Sequence, residues 1–192
     1  MEASGVVLAG GASRRMGRDK AVLPFEGQRL IDRAVGRLQQ VAEDVVVASG
    51  RRRIRGLAVP QVADHRGGGG PLNGLTAGLM AVRHDLACVL AVDLPHAEPT
   101  LFKALIDRWE GEAALIPSAG GKAQPLHAVW ASTAVASLSL LVADGVRSVV
   151  QAAQAIGATV LDDEQTMALV GHDRWALNLN APSDLPDLPD LS

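Results

Sequence analysis

An uninterrupted apolar run at residues 86–92 places the strongest constraint on the fold of this chain. The run shows no alternation of apolar and polar side chains, and it is too short to cross a membrane. A strand of this kind has both faces buried, which is typical of a parallel sheet covered by helices on both sides. The run therefore favours an α/β fold with the strand deep in the sheet.

The rest of the chain alternates between strand-like and helix-like segments. The patterns predict strands at residues 5–8, 44–48, 58–62, 113–116, 126–130, 158–161 and 175–179, and helices at 30–41, 71–82, 99–109, 133–141 and 146–156. This alternation predicts a Rossmann-like three-layer open sheet, mostly parallel, with helices on both faces. We expect one domain over residues 1–192, with a frayed tail from about residue 184. Ligands of such folds bind outside the carboxyl ends of the strands.

Composition narrows the range of partners. The net charge is −3, and two Phe, three Trp and no Tyr leave few rings for base stacking, so we expect no nucleic-acid partner. Cys88 is the single cysteine, which excludes an internal disulfide. No apolar stretch is long enough for a bilayer, and the start lacks a secretory pattern, so we expect a cytoplasmic protein without a membrane partner.

The loop at residues 8–20 follows the first strand directly and is rich in glycine and basic residues. Gly10 and Gly11 can adopt backbone angles closed to other residues, so that successive N–H groups converge on phosphate oxygens. Arg14, or the arginine after it, adds a bidentate fork, and Lys20 adds a mobile charge. The alternative is a turn with solvated basic residues, and the density of glycines and cations favours the phosphate site. The loop is not a P-loop.

Two aspartates follow predicted strands. Asp93 ends the apolar run, where a carboxylate is a natural magnesium ligand, and the alternative is a cap for the helix that opens near Glu98. Asp64 precedes a glycine run at residues 67–70, and its alternative is a turn residue. That glycine run is either a flexible connection or a close approach to a ligand.

Four segments together resemble the molybdenum cofactor guanylyltransferase family. They are the loop 8–20, the stretch 70–75 beginning Gly-Pro-Leu-Asn-Gly, the Asp-Leu-Pro at 93–95, and the Asn-Leu-Asn-Ala-Pro-Ser-Asp at 178–184. They occur in the family's order and extend over nearly the whole chain. The resemblance implies transfer of GMP from Mg·GTP to molybdopterin, which gives the guanine dinucleotide cofactor and pyrophosphate. It also implies partner proteins that deliver molybdopterin or receive the product.

The same resemblance implies roles for individual residues. The catalytic residues would be Lys20, Arg14 and Asp93, with Asp93 as the ligand of Mg²⁺. Acceptor binding would fall to Gln124, Asn178 and Asn180, and the alternative for Asn180 is a helix cap. Nucleotide binding would involve a larger set along the carboxyl ends of the strands: Leu8, Ala9, Gly10, Gly11, Lys20, Asp64, Gly70, Pro71, Leu72 and Asp93.

One departure from the family pattern bears on the base. The family commonly has an asparagine after the second strand, where this chain has Ala48, so either Ser49 replaces the contact or the contact is absent.

The alternatives to a guanylyltransferase are a cytidylyltransferase for the same cofactor, a sugar-phosphate nucleotidyltransferase, and a nucleotide- or pterin-binding module without turnover. Gly10-Gly11 and the short chain favour the guanylyltransferase. Arg147 is best interpreted as a surface salt-bridge residue.

Overall fold

The computed structural model describes residues 1–10, 19–64 and 70–179. Its strands are β1 (Ala3–Leu8), β2 (Pro24–Phe25), β3 (Gln28–Arg29), β4 (Asp44–Ala48), β5 (Gln61–Val62), β6 (Leu86–Ala91), β7 (Ala114–Ile116), β8 (Ser118–Ala119), β9 (Lys122–Ala123), β10 (His127–Ala131) and β11 (Thr159–Val160). Its α-helices are α1 (Leu30–Leu38), α2 (Pro71–Leu79), α3 (Pro99–Asp107), α4 (Val135–Ala143), α5 (Val149–Ala155) and α6 (Asp163–Val170). Short 3₁₀ turns lie at Lys20–Val22, Ser132–Ala134 and Arg174–Ala176.

A seven-stranded sheet in the order β11-β7-β10-β6-β1-β4-β5 forms the middle layer. The pairs β1–β4, β1–β6, β4–β5 and β7–β11 are parallel, and only β10 runs against its two neighbours. The predicted mostly parallel sheet is therefore confirmed. Because β4 and β6 flank β1 on opposite sides, the direction of winding reverses at β1. Such a reversal leaves a crevice at the carboxyl ends of the strands, where ligands of open α/β sheets bind.

Helices cover both faces of the sheet, as the apolar run at 86–92 predicts. All six residues of β6 are buried, and so are all six of β1. One core cluster packs α1 and α3 against the sheet through side chains such as Leu30 and Phe102. The other packs α2, α4 and α5 on the opposite face through side chains such as Leu75 and Leu138. The three-layer prediction is thus confirmed.

The predicted strand at 175–179 is wrong. This segment begins with the 3₁₀ turn Arg174–Ala176, and its first aromatic residue, Trp175, is buried. The alternating apolar residues suggested a strand, but Leu177 is 54% exposed while Leu179 is 6% exposed. A 3₁₀ turn repeats every three residues, so the alternation does not keep these side chains on one face.

Helix α6 and the two short hairpins, β2–β3 and β8–β9, were not predicted. Asp162 and Gln165 form a capping box at the start of α6, and Gly171 ends the helix in the left-handed conformation. Both features are present in the sequence. The helix has no apolar stripe, however, because Thr166 is its single buried residue. Periodicity therefore gave no indication of it.

No helix within the described residues combines the length and the apolar character needed to cross a membrane.

We predict that Gly78→Ala destabilises the fold. A methyl group on Gly78 would lie 2.3 Å from Cγ1 of Val6, because α2 packs directly on β1 at this point. We expect a loss of about 1–3 kcal/mol in the free energy of unfolding from overpacking. Gly36→Ala on α1 is the matched control, since a methyl there meets no atom within 4 Å, and it should stabilise by up to about 1 kcal/mol. Urea unfolding of both variants measures the difference, and equal stability of the two would contradict the close contact.

Candidate active site

Gly10, at the start of the glycine-rich loop, lies against the backbone that follows β4. A methyl group on Gly10 would lie 3.0 Å from the nitrogen of Gly50 and 3.1 Å from its Cα. Gly10 does not adopt a positive φ, so the sequence-based reason for this glycine needs correction: it is required by a close approach and not by its backbone angles. Gly50 itself has a φ of +68°, which favours glycine. The two segments form one wall of the crevice beside β1.

Lys20 and Asp93 meet at the carboxyl ends of β1 and β6. The Lys20 ammonium lies 3.6 Å from Oδ2 of Asp93, and the two side chains are 19% and 32% exposed. Lys20 opens a 3₁₀ turn whose cap is Asp19, which accepts a hydrogen bond from the backbone of Ala21. Asp93 does not cap α3, because that helix begins at Pro99 with Glu98 as its cap residue. The capping alternative is therefore excluded, and the carboxylate is left for chemistry at the crevice.

The main chain of Leu179 bridges this pair. Its N–H donates to the carbonyl oxygen of Asp93 at 2.9 Å, and its own carbonyl accepts from the Lys20 ammonium at 2.5 Å. One residue from the C-terminal part of the chain thus contacts both charged residues through its main chain. The side chains of Lys20 and Asp93 are brought together by three separate segments of the sequence.

Asp64 lies near Gly50 and Gly74 and has a buried carboxylate oxygen. Its Oδ1 is buried and makes no hydrogen bond within the described chain. A methyl group placed on Gly74 would lie 3.8 Å from this atom, 3.6 Å from Leu8 and 3.9 Å from Ala48. Burial raises the pKa of Asp64, and the nearby positive charge of Arg51 partly opposes the shift. An acceptor oxygen of this kind is suited to a donor group on a ligand.

The start of α2 borders the same region. Gly70 precedes the helix with a φ of +144°, and Pro71 occupies the first turn, as the sequence predicted. Leu72 and Gly74 are buried, so the first turn is packed into the fold beside Leu8. Of these residues, Pro71 lines the cleft described next.

A cleft of about 390 Å³ opens beside Asp93. The structure brings together here residues that the sequence analysis had assigned to the nucleotide and to the acceptor. The cleft is lined by Pro71, Ala91, Asp93, Leu94, Gln124, Pro125, Leu126, Arg147, Ser148, Val149, Val150 and Asn178. Gln124 and Asn178, for which an acceptor-binding role is predicted, both line this cleft. A carboxylate, a cation and two amides share one cavity.

Arg147 is the lining residue whose place the sequence did not indicate. It precedes α5, whose cap is Ser148, and its exposed side chain lies beside the cleft. Arg147 is far from Asp93 in the sequence, and the two residues reach the same cleft because α5 packs against α2. Gly50, beside Gly10, was likewise not singled out.

Ser49 does not present an obvious substitute for the asparagine expected near Ala48. Its N–H donates to the carbonyl of Val62 at 3.0 Å, and its hydroxyl lies 3.5 Å from the same oxygen. The side chain is therefore directed along the β4–β5 edge. Gly11, Arg14 and Asn180 lie outside the described residues, so their predicted roles stay predictions.

Comparison with known proteins identifies the class to which this site belongs. The family model of the MobA-like NTP transferase domain matches residues 5–158. A protein of Pelotomaculum thermopropionicum named "probable molybdenum cofactor guanylyltransferase" is 32% identical over 187 residues, covering 96% of this chain and 91% of its own. A protein of the same name from Chloroflexus aggregans is 38% identical over 194 residues, covering 96% and 92%.

Solved structures share the fold. Molybdopterin-guanine dinucleotide biosynthesis protein A from Archaeoglobus fulgidus superposes with a TM-score of 0.78 at 22% identity, covering 94% of each chain. The 2-C-methyl-D-erythritol 4-phosphate cytidylyltransferase from Thermus thermophilus gives 0.64 at 19% identity, covering 91% of this chain and 95% of its own. The same architecture therefore occurs with different named nucleotides, so base selectivity must be argued from the site.

Proposed function

The chain belongs to the MobA-like NTP transferase domain family, and from this premise we propose that it transfers GMP from Mg·GTP to molybdopterin. Relatives that match nearly the whole chain indicate a nucleotidyltransferase of molybdenum cofactor biosynthesis. The observation that carries the proposed GMP transfer is the Lys20–Asp93 pair at the edge of a cleft that Gln124 and Asn178 also line. The pair suits the transferred phosphate, and the cleft suits an acceptor.

In the proposed reaction, a terminal phosphate oxygen of molybdopterin attacks the α-phosphorus of GTP. A new P–O bond forms as the bond between the α-phosphorus and the bridging oxygen breaks, and pyrophosphate leaves. No nucleophilic side chain is required, so the protein contributes positioning and charge stabilisation. Lys20 would neutralise charge that develops on the phosphates, together with backbone N–H groups of Gly10 and Gly11 and the fork of Arg14.

The residues at the cleft fit a magnesium ion brought by the nucleotide. In the described parts of the chain, no three His, Cys, Asp or Glu side chains group as a metal site. Mg²⁺ commonly uses one or two protein carboxylates together with phosphate oxygens and water, and Asp93 offers one partly exposed carboxylate. When bound, the ion would polarise the α-phosphate and stabilise the leaving pyrophosphate.

Two features fit guanine and a phosphorylated acceptor. The unpartnered Oδ1 of Asp64 is an acceptor suited to the N–H and amino donors of guanine. The amino groups of adenine and cytosine can donate to the same atom, so comparison of the four nucleotides decides the base. In the cleft, Arg147 supplies a cation suited to the phosphate of the acceptor, while Gln124 and Asn178 offer amide donors and acceptors to a pterin. The guanine and the acceptor would then occupy opposite sides of Asp93 and Lys20.

Nucleotide-dependent thermal unfolding tests the proposal. GTP with magnesium, at about 100 times its Kd, should raise the free energy of unfolding by about 2.7 kcal/mol, because the ligand binds the folded state. CTP, ATP and UTP, each with and without magnesium, are the controls. A larger rise with CTP or UTP would assign the chain to a sister transferase. No rise with any nucleotide at millimolar concentration would contradict the phosphate role of the first loop. Pyrophosphate release with GTP and molybdopterin then measures turnover and separates an enzyme from a binding module.

A further inference from the structure

The bridge that Leu179 makes between Lys20 and Asp93 depends on how the segment before it is held. We refer to residues 174–179 as the strap. Within it, Leu179 is 6% exposed and supplies both main-chain contacts to the charged pair, while Asn178 lines the cleft. The strap thus touches the proposed phosphate-binding lysine, the proposed metal ligand and the acceptor cleft together.

The strap is anchored by one aromatic side chain. Trp175 is 1% exposed, and its indole stands edge-on to the ring of His127, with centroids 4.9 Å apart and planes at 87°. His127 in turn lies 4.5 Å from the ring of Phe102 on α3. The indole N–H of Trp175 makes no hydrogen bond within the described chain. The anchor therefore acts through packing, and a second aromatic ring without the N–H should serve in its place.

We propose that Trp175 is a positioning residue that holds the strap, and through Leu179 holds the Lys20 ammonium beside Asp93. A lysine side chain has many rotamers, and a fixed carbonyl acceptor reduces the conformational freedom that must be lost during the reaction. Misplacing such a group by about 1 Å can cost about 100-fold in rate. The catalytic consequence rests on the proposed function, whereas the positioning of Lys20 can be measured without turnover.

The test compares Trp175→Ala and Trp175→Leu with Trp175→Phe and with Leu138→Ala. Leu138 is also fully buried, but it lies on α4 in the other core cluster, and no α4 residue lines the cleft. It therefore controls for lost core packing. Trp175→Leu keeps an apolar side chain at the position if the alanine variant does not fold.

The first measurement is the reactivity of Lys20 toward acetic anhydride, read by peptide mass spectrometry. Lys103 and Lys122 are exposed and serve as internal references in the same chain. Loss of the anchor should raise acetylation of Lys20 by about 5-fold relative to the references, because local opening exposes the amine. Trp175→Phe and Leu138→Ala should label like the wild type.

The second measurement is the rate of pyrophosphate release with GTP and molybdopterin, at a temperature where every variant is folded. The alanine and leucine variants should lose about 10- to 100-fold in kcat, and the phenylalanine variant should retain it. Unchanged Lys20 labelling in both, or an equal loss in Leu138→Ala, would overturn the positioning role. Altered labelling combined with no turnover in the wild type would instead refute the proposed function and leave the positioning role intact.

Discussion

Asp93→Asn is expected to lower the turnover of GMP transfer by about 1,000-fold while leaving the fold unchanged. The substitution keeps the shape of the side chain but removes the charge that would bind the magnesium of Mg·GTP, and metal stabilisation of the transition state is worth several kcal/mol. The fold should be retained because Asp93 is 32% exposed and its ion pair with Lys20, at 3.6 Å, is partly solvated. Exposed pairs contribute little to stability.

Steady-state pyrophosphate release across a magnesium titration measures this effect. If Asp93 acts through the metal, the variant should need more magnesium and should still fall short of wild-type kcat at saturation. Asp107→Asn is the matched control, since it makes the same change of charge at the exposed end of α3. Wild-type kcat in Asp93→Asn, at any magnesium concentration, would remove this carboxylate from the mechanism.

His127→Leu is expected to make the protein more resistant to acid. Burial lowers the pKa of His127 to about 3, and nearby backbone groups of Trp175 and Glu98 offset only a part of that effect. The side chain is fully buried, so the ring is held neutral in the folded state. In the unfolded chain a histidine titrates near its ordinary pKa of about 6.5. Below that pH the unfolded state therefore binds a proton that the folded state does not.

The sign of the effect follows from this difference. Above about pH 6.5 both states are neutral at His127 and the group costs nothing, while stability is lost as the pH falls from about 6.5 toward 3. The slope for one such group is about 1.4 kcal/mol per pH unit, or about 2 kcal/mol between pH 6 and pH 4.5. Leucine is apolar and of similar size, so it fills the site without this proton linkage.

Urea unfolding of wild type and His127→Leu at pH 7, 6, 5 and 4.5 measures the slope difference. His84→Gln is the control, because His84 is partly exposed and lies beside two carboxylates, Glu2 and Asp44. That variant should keep the acid slope contributed by His127. Parallel stability curves for wild type and His127→Leu would show that the folded state accommodates a charged ring and would contradict the prediction.

Much of the fold could be predicted from local patterns. The apolar run at 86–92 led to β6 in the sheet interior, and apolar residues at helical spacing led to α1. These predictions succeeded because burial of a strand on both faces requires a continuous apolar run. Burial of a helix along one stripe requires apolar residues at helical spacing. Helix α6 was not predicted from periodicity, because it is defined by its caps and buries a single residue, Thr166. The strand prediction at 175–179 was wrong because apolar residues alternate there in the sequence, although the segment begins with a 3₁₀ turn.

The candidate site also contains both residues that the sequence indicated and residues that only the structure revealed. Gly10 and Asp93 stand out in the sequence because each follows a strand, and strand ends meet at one edge of a parallel sheet. Lys20 stands out because it belongs to the basic, glycine-rich loop after β1. The sequence could not show why residue 10 is a glycine. Its Cα faces the backbone of Gly50, and a contact with backbone atoms does not depend on the type of the contacted residue. Arg147 joined the cleft only through the packing of α5 on α2.

By itself, the sequence determined the α/β alternation, the glycine-rich loop after β1, the strand-end carboxylates and, through its motifs, the family. The tertiary structure decided which of these residues share a cleft with Arg147, and it placed the main chain of Leu179 against both Lys20 and Asp93. The physical reason is that side-chain periodicity and motif spacing are local properties. A main-chain carbonyl that accepts a hydrogen bond from a lysine far away in the sequence has the same chemistry in every residue, so only its position in space distinguishes it.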